Sequence, residues 1–257
     1  MSEKITLFNF DNAYTYQDFY LNEIHQWLNF TDLSGVSGYC DEESLEIIRR
    51  RIATSEPTRI NYIDSGNYHY ITYLLLERLR EPFSLILFDH HTDMQPSLFE
   101  NLMSCGCWVK RTLDENPFLK EVIIIGVADQ LIKEIPSKYS HKVFAYGESM
   151  LKQHPKWQTF AKEHIHYNVY ISVDKDVMDA KEACTNWDQG FLTLSQLREI
   201  YESIVETHEI LGIDICGEYA PNMTCLMETE QLLNNKANLQ ILQLIEEVAA
   251  TKEGENT

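Results

Sequence analysis

Short apolar runs recur along the chain at Ile5–Phe10, Ile60–Asp64, Ser84–Phe88, Val122–Val127, Val143–Tyr146, Val169–Val173 and Ile210–Ile215. Each is too short for an ordinary helix and is rich in Ile, Val, Leu, Phe or Tyr, so each predicts a buried strand. Between them the apolar positions change to helical spacing. Glu42–Ala53 opens behind Asp41, whose carboxylate can accept from the free N–H groups of a first turn. Tyr70–Arg80 puts Tyr73, Leu76 and Leu79 on one face, Leu194–Thr207 opens behind Thr193, and Leu226–Ala250 closes the pattern. Continuously apolar strands alternating with helices predict an α/β fold with a mainly parallel sheet covered on both faces. No repeat, low-complexity block or Pro/Gly/Ser linker interrupts the chain. Residues 1–250 therefore read as a single domain, and Thr251–Thr257 as a polar, frayed tail.

Charge changes the picture next. Lys and Arg number 21 against 40 Asp and Glu in 257 residues, a formal charge of −19. So negative a surface repels phosphate, and no basic stripe offsets it, so nucleic acid and anionic membranes are excluded as expected partners. No apolar run approaches the roughly 18 residues of a spanning helix. The start, Met-Ser-Glu-Lys-Ile-Thr, lacks the basic and apolar stretches of a secretion signal. The six cysteines are scattered with no Cys-x-x-Cys pair. Reduced thiols in a cytoplasmic protein are the expectation, not a disulfide framework or zinc knuckle.

In parallel sheets ligands bind at the carboxyl ends of the strands. Here Ser84–Phe88 runs into Asp89-His90-His91-Thr92-Asp93, Val169–Val173 into Asp174-Lys175-Asp176, and Ile60–Asp64 through Ser65-Gly66-Asn67-Tyr68 to His69. Four carboxylates brought to one edge repel strongly unless cations neutralise them. Alternate residues at a strand end share a side, so Asp89, His91 and Asp93 are expected to close on one centre, and Asp174 and Asp176 likewise. An oxygen-rich set with two imidazoles and no thiolate suits Mn²⁺, Fe²⁺, Co²⁺ or Ni²⁺ better than Zn²⁺.

These residues resemble a known family. Asp89-His90-His91-Thr92-Asp93 is similar to the Asp-Ala-His-x-Asp motif of the ureohydrolases, the arginase and agmatinase family. Ser172-Val173-Asp174-Lys175-Asp176-Val177-Met178-Asp179 is similar to that family's Ser-x-Asp-x-Asp-x-x-Asp motif, and Gly66-Asn67-Tyr68-His69 stands where Gly-Gly-Asp-His is usual. The resemblance spans about residues 60–221. It implies a three-layer α/β/α fold with two divalent metal ions, Mn²⁺ by preference. One would be held by His69, Asp89, Asp93 and Asp174. The other would be held by Asp89, His91, Asp174 and Asp176, with Asp89 and Asp174 bridging. Two ions about 3.5–4 Å apart lower the pKa of a water held between them, giving a nucleophile for an electron-poor carbon. Asp93 is then expected to orient it.

Several positions depart from the family. Tyr68 replaces the Asp before the ligand His, and His90 replaces a small residue and is expected to pack behind the site. Ser104-Cys105-Gly106-Cys107-Trp108 falls where members often carry a His-Gly pair that shuttles protons, which makes Cys105 the expected replacement and Cys107 a packing residue. In Asp214-Ile215-Cys216-Gly217-Glu218-Tyr219-Ala220-Pro221, Glu218 is the expected carboxylate for a guanidinium group, with one residue inserted before it. Neither Met94-Gln95-Pro96-Ser97-Leu98 nor Ala128-Asp129-Gln130-Leu131 matches the segments that hold free arginine, so arginine itself is disfavoured. Trp187 is expected on the rim, and His164 and His166 on the opposite surface.

The leading expectation is a hydrolase of guanidino or amidine C–N bonds acting on a small or peptide-borne cationic substrate. Asp93, Glu218 and Cys105 would be its catalytic residues. Two alternatives stand beside it: a one-metal, deacetylase-like amide hydrolase with Tyr219 polarising the oxyanion, and a metal-binding protein without catalysis. The last helix, with Leu232, Leu233, Leu239, Leu242 and Ile245, is expected in the core or at a contact between copies of the chain.

Overall fold

A computed structural model describes residues 4–97, 99, 102–153, 161, 164–220 and 228–255. Its centre is an eight-stranded, parallel sheet. In chain order its strands are β1 (Ile5–Asn9), β2 (His25–Asn29), β4 (Ile60–Ile63), β5 (Phe83–Phe88), β7 (Leu119–Val127), β8 (Val143–Gly147), β9 (Asn168–Asp174) and β10 (Ile210–Cys216). Across the sheet they run β2-β1-β4-β10-β9-β5-β7-β8. A separate antiparallel pair joins β3 (Tyr39–Asp41) to β6 (Leu102–Ser104).

Alternate residues of the strands feed two cores. Ile86, Phe88, Ile171, Val173, Ile213 and Ile215 pack under α5 (Leu194–Val205) and α6 (Glu228–Glu255), through Leu197, Ile200, Ile204, Ile241 and Ile245. Leu85, Leu87, Val122, Ile124 and Tyr170 face α1 (Glu42–Thr54), α2 (Ile71–Leu76) and α3 (Trp108–Glu115). The fold is therefore three-layered α/β/α, with one core above the sheet and one below.

All seven predicted strands are present, within a few residues of their expected ends. β2, β3 and β6 were not predicted, because none shows a buried apolar run: β2 is half-buried at the sheet edge, and the other two are three residues long. α1 starts where expected, with Asp41 accepting from the Ser44 amide at 2.7 Å. Thr193 caps α5 reciprocally with Gln196. The helix expected over Tyr70–Arg80 is cut to Ile71–Leu76 and buried on every side, so it has no solvent face for the pattern to reveal. α3 and the single turn α4 (Glu148–Leu151) were also missed. α6 is helical through Glu255, so the expected tail continues a helix there; Asn256, Thr257 and the expected helix start at Leu226 lie outside the described residues, as do Cys225, Pro221 and Leu98. Among the described residues no helix is long and apolar enough to cross a membrane.

Candidate metal centre

The strand order puts the site together. β4, β10, β9 and β5 are consecutive across the middle of the sheet, so the segments leaving their carboxyl ends meet. His69 follows β4 by one 3₁₀ turn, Gly66–Tyr68. Asp89–Asp93 follows β5 directly, and Asp174 ends β9 and caps the short turn that carries Asp176. The ends are laced together: Asp176 Oδ1 accepts from the His90 amide at 3.0 Å, Asp89 Oδ1 from the His91 amide at 2.6 Å, and Asp174 Oδ1 from the Asp176 amide at 3.0 Å.

His69, Asp89, His91, Asp93, Asp174 and Asp176 all line one cavity of about 370 Å³, together with Cys105, Trp187 and Glu134. His69 Nδ1 stands 3.4 Å from Asp89 Oδ2, 3.1 Å from Asp93 Oδ2 and 3.4 Å from Asp174 Oδ2. His91 Nδ1 stands 2.8 Å from Asp176 Oδ2 and 3.5 Å from Asp89 Oδ1. Asp89, His91 and Asp93 therefore do not close on one centre, as strand alternation suggested. β5 ends at Phe88, and Asp93 has a left-handed backbone with φ of 49°. The bend sends Asp93 to His69 and leaves His91 with Asp176. Asp174 and Asp176 divide in the same way, and Asp89 spans both groups with its two oxygens.

The electrostatics expose a charge deficit. Burial pushes the Asp93 carboxyl up to about 6, and the neighbouring Asp89 charge adds to this. Burial, then Asp174 and Asp89, push Asp176 well above the carboxylate range. Burial opposes a charged His91, yet Asp176 and Asp89 outweigh it and raise the ring to about 12. Asp89 Oδ2 is buried with no hydrogen-bond partner among the described residues, although burying a lone carboxylate oxygen is costly. Two imidazoles and four carboxylates, with an unfilled acceptor between them, fit divalent cations. His69 is also set up as a ligand from behind. Its Nε2 contacts Ser172 Oγ at 2.9 Å, and Ser172 donates to Asp214 Oδ1 at 2.7 Å, which leaves Nδ1 facing the carboxylates.

The chain belongs to the arginase family. The family's model matches residues 10–237. A protein of Thermotoga maritima, described only as uncharacterized, is 30% identical over 190 residues, which cover 71% of this chain and 66% of that protein. The chain thus spans slightly under two thirds of that relative. Among solved structures, proclavaminate amidino hydrolase of Streptomyces clavuligerus superposes with a TM-score of 0.68 at 13% identity, covering 95% of this chain and 91% of the other. Agmatine ureohydrolase of Thermoplasma volcanium superposes at 0.64 and 18% identity, covering 98% and 90%. At these identities the likeness is one of fold, and it is the arginase-like α/β/α fold expected from the motifs.

Glu218 differs from its expectation. It does not line the cavity. It is buried, paired with Lys175, and accepts from Gln17 at 2.8 Å, Asn234 at 3.1 Å and Asn238 at 2.7 Å. Both of its oxygens are thus occupied by groups of the fold. Gly217 makes the turn before Glu218: its φ of 88° is a left-handed conformation that a residue without a Cβ adopts readily. Lys175, between Asp174 and Asp176 in the chain, supplies the countercharge.

Other residues fall closer to expectation. Cys105 lines the cavity, half-buried, and burial, with Asp93 beside it, pushes its thiol up to about 12. His90 packs at the back, its ring 5.7 Å from that of His91. Trp187 is 42% exposed on the rim. His166 is on the surface with Nδ1 3.0 Å from Glu121.

Sequence reasoning missed four groups. Trp108, fully buried, donates from Nε1 to Asp93 Oδ2 at 2.6 Å. Ser172 and Asp214 hold His69. Cys216 places Sγ 3.2 Å from Asp174 Oδ2, so the donor set does have sulfur within reach. For Cys216 a signal existed: it alternates with Asp214 on one strand and so shares its face. Glu134 lies on a 3₁₀ turn, Leu131–Glu134, that no periodicity announces.

Proposed function

We propose that the chain is a binuclear-metal-dependent hydrolase that cleaves a C–N bond of a guanidino or amidine group on a small or peptide-borne cationic substrate. The observation that carries this reading is the set of four buried carboxylates with buried His69 and half-buried His91, in which His69-Asp89-Asp93 and Asp89-His91-Asp176 share Asp89 and His69 also groups with Asp174. His69, Asp89, Asp93 and Asp174 would hold one cation, and Asp89, His91, Asp174 and Asp176 the other. Two divalent cations, Mn²⁺ by preference, would supply Lewis acidity and an activated water as the nucleophile.

The chain's own residues supply the rest. Among its described lining residues the cavity has no Lys or Arg, and it has one carboxylate outside the ligand set, Glu134. A cation is thus attracted by the wall and held at the mouth by Glu134, with the Trp187 ring available for a cation–π contact. With Glu218 occupied by Lys175, recognition of the cation falls to Glu134. Asp93, which accepts from Trp108 Nε1, would take a proton from the attacking group. Cys105 is the group in the wall that would carry a proton to the leaving amine.

Elemental analysis of protein prepared with added Mn²⁺ should find close to two ions per chain. A screen of guanidino, amidine and amide compounds should then return activity on the first two classes. One ion with full activity on an amide would replace this reading with a deacetylase-like one, and two ions with no turnover on any class would leave a binding protein. Cys105→Ser should slow kcat more than it raises KM and should alter the pH–rate profile. Wild-type rates at every pH would remove Cys105 from proton transfer.

A further inference from the structure

β9 and β10 both end beside His69, and β10 carries a group outside the ligand set just described. β9 and β10 pair in parallel with Asp174 opposite Cys216. Opposite residues of such a pair project to the same face. Cys216 is fully buried there. Its Sγ is 3.2 Å from Asp174 Oδ2, the oxygen that stands 3.4 Å from His69 Nδ1. A ring nitrogen of His69, a carboxylate oxygen of Asp174 and the sulfur all lie within 4.8 Å of one another. An oxygen and a sulfur held at about 2.0 and 2.3 Å from a shared ion are about 3.0 Å apart at a right angle and about 3.5 Å apart at the tetrahedral angle. The observed separation falls between these.

A second observation points to a ligand at the same place. Asp89 Oδ2, buried and without a hydrogen-bond partner among the described residues, is 3.4 Å from the same His69 Nδ1. The surroundings of His69 therefore hold a carboxylate oxygen with no hydrogen-bond partner among the described residues and a sulfur whose contact is the Asp174 carboxylate.

We propose that Cys216 is a sulfur donor to the cation held by His69 and Asp174. One of the two positions then has a mixed nitrogen, oxygen and sulfur set, which favours Zn²⁺, Co²⁺ or Fe²⁺ over Mn²⁺, while the His91–Asp176 position keeps a harder set. The thiol proton leaves to solvent as the ion binds. The inference rests on the two-cation reading. The competing role for Cys216, a thiol donating a hydrogen bond to Asp174, has the same sulfur–oxygen distance but a different spectrum.

The test is titration of the metal-free chain with Co²⁺, followed by absorption. A thiolate-to-cobalt charge-transfer band in the near ultraviolet is expected in the wild type, in Cys105→Ser and in Cys107→Ser, and should vanish in Cys216→Ser. Cys216→Ser should also shrink the preference for Zn²⁺ over Mn²⁺ by at least roughly tenfold. Cobalt bound with no such band, or a band that survives Cys216→Ser, overturns the proposal and leaves the two-cation reading intact. Failure to bind any cobalt overturns both. Should Cys216→Ser not fold, X-ray absorption on the zinc-loaded Cys105→Ser chain decides: a sulfur shell at about 2.3 Å supports the proposal, and nitrogen and oxygen shells alone refute it.

Discussion

Asp174 connects both halves of the site at the scale of single residues. Its Oδ2 faces His69 and Cys216, while its Oδ1 accepts the amide of Asp176. Asp174→Ala should therefore lose both ions, whereas Asp176→Ala should weaken the one shared with His91. Elemental analysis after dialysis against a fixed Mn²⁺ concentration distinguishes the two, and equal losses would mean that Asp174 is not a bridge. Glu134 makes a different kind of contribution. It is exposed at the mouth and outside the ligand set, so Glu134→Gln should leave the metal content unchanged. KM for a cationic substrate should rise by about tenfold, which corresponds to roughly 1.4 kcal/mol of binding. A KM indifferent to Glu134→Gln would return the question of cation recognition to Trp187 and the ligand carboxylates.

Among the elements, the ends of β9 and β10 work as a pair. Gly217 can hold its left-handed φ without a Cβ, and an added Cβ would lie 2.4 Å from Asp174 Oδ1. The turn it permits sends Glu218 inward to Lys175, and Gln17, Asn234 and Asn238 complete the network between the N-terminal loop and α6. Asn234 also clasps the backbone of Cys184 with two bonds of 2.8 Å, which anchors the segment bearing Trp187. Lys175 and Glu218 are both essentially inaccessible to solvent. Lys175→Met should cost about 3–5 kcal/mol, because it strands a buried carboxylate, and Lys175→Met combined with Glu218→Met should recover much of the loss. Chemical unfolding of the single and double variants measures this. A double variant as unstable as the sum of the singles would show that the pair is not coupled.

The whole molecule concentrates negative charge where the four central strands end. Its formal charge of −19 already opposes compactness, and the site adds carboxylates that repel one another at close range. Cations that bind the folded chain should therefore stabilise it globally. At a free concentration 100 times the dissociation constant the gain is about 2.7 kcal/mol. For a chain of this size each kcal/mol moves Tm by roughly 2–4 °C, so a rise of about 5–11 °C is expected over the chelated protein. Scanning calorimetry with and without Mn²⁺ checks it. An unmoved Tm would argue against any cation at this centre.

Strand existence, the parallel α/β class and the Asp-x-His-x-Asp and Asp-x-Asp clusters were legible in the sequence because each rests on local spacing. A short apolar run reports burial on both faces, and a polar cluster directly behind it reports a strand end. How those clusters divide was not legible. The split of Asp89, His91 and Asp93 depends on a backbone bend at Asp93, and the approach of His69 to Asp174 depends on β10 being inserted between β4 and β9. Glu218 shows the limit most clearly. Its place in the chain suited a substrate carboxylate, but the turn at Gly217 and a lysine 43 positions earlier hold it as a buried ion within the fold. Cys216 moved the other way, from an unremarked strand residue to a neighbour of Asp174 in the carboxylate cluster. Local periodicity determines which residues are buried and where chains turn; which buried groups face one another is decided by strand order and register, which join segments far apart in the chain.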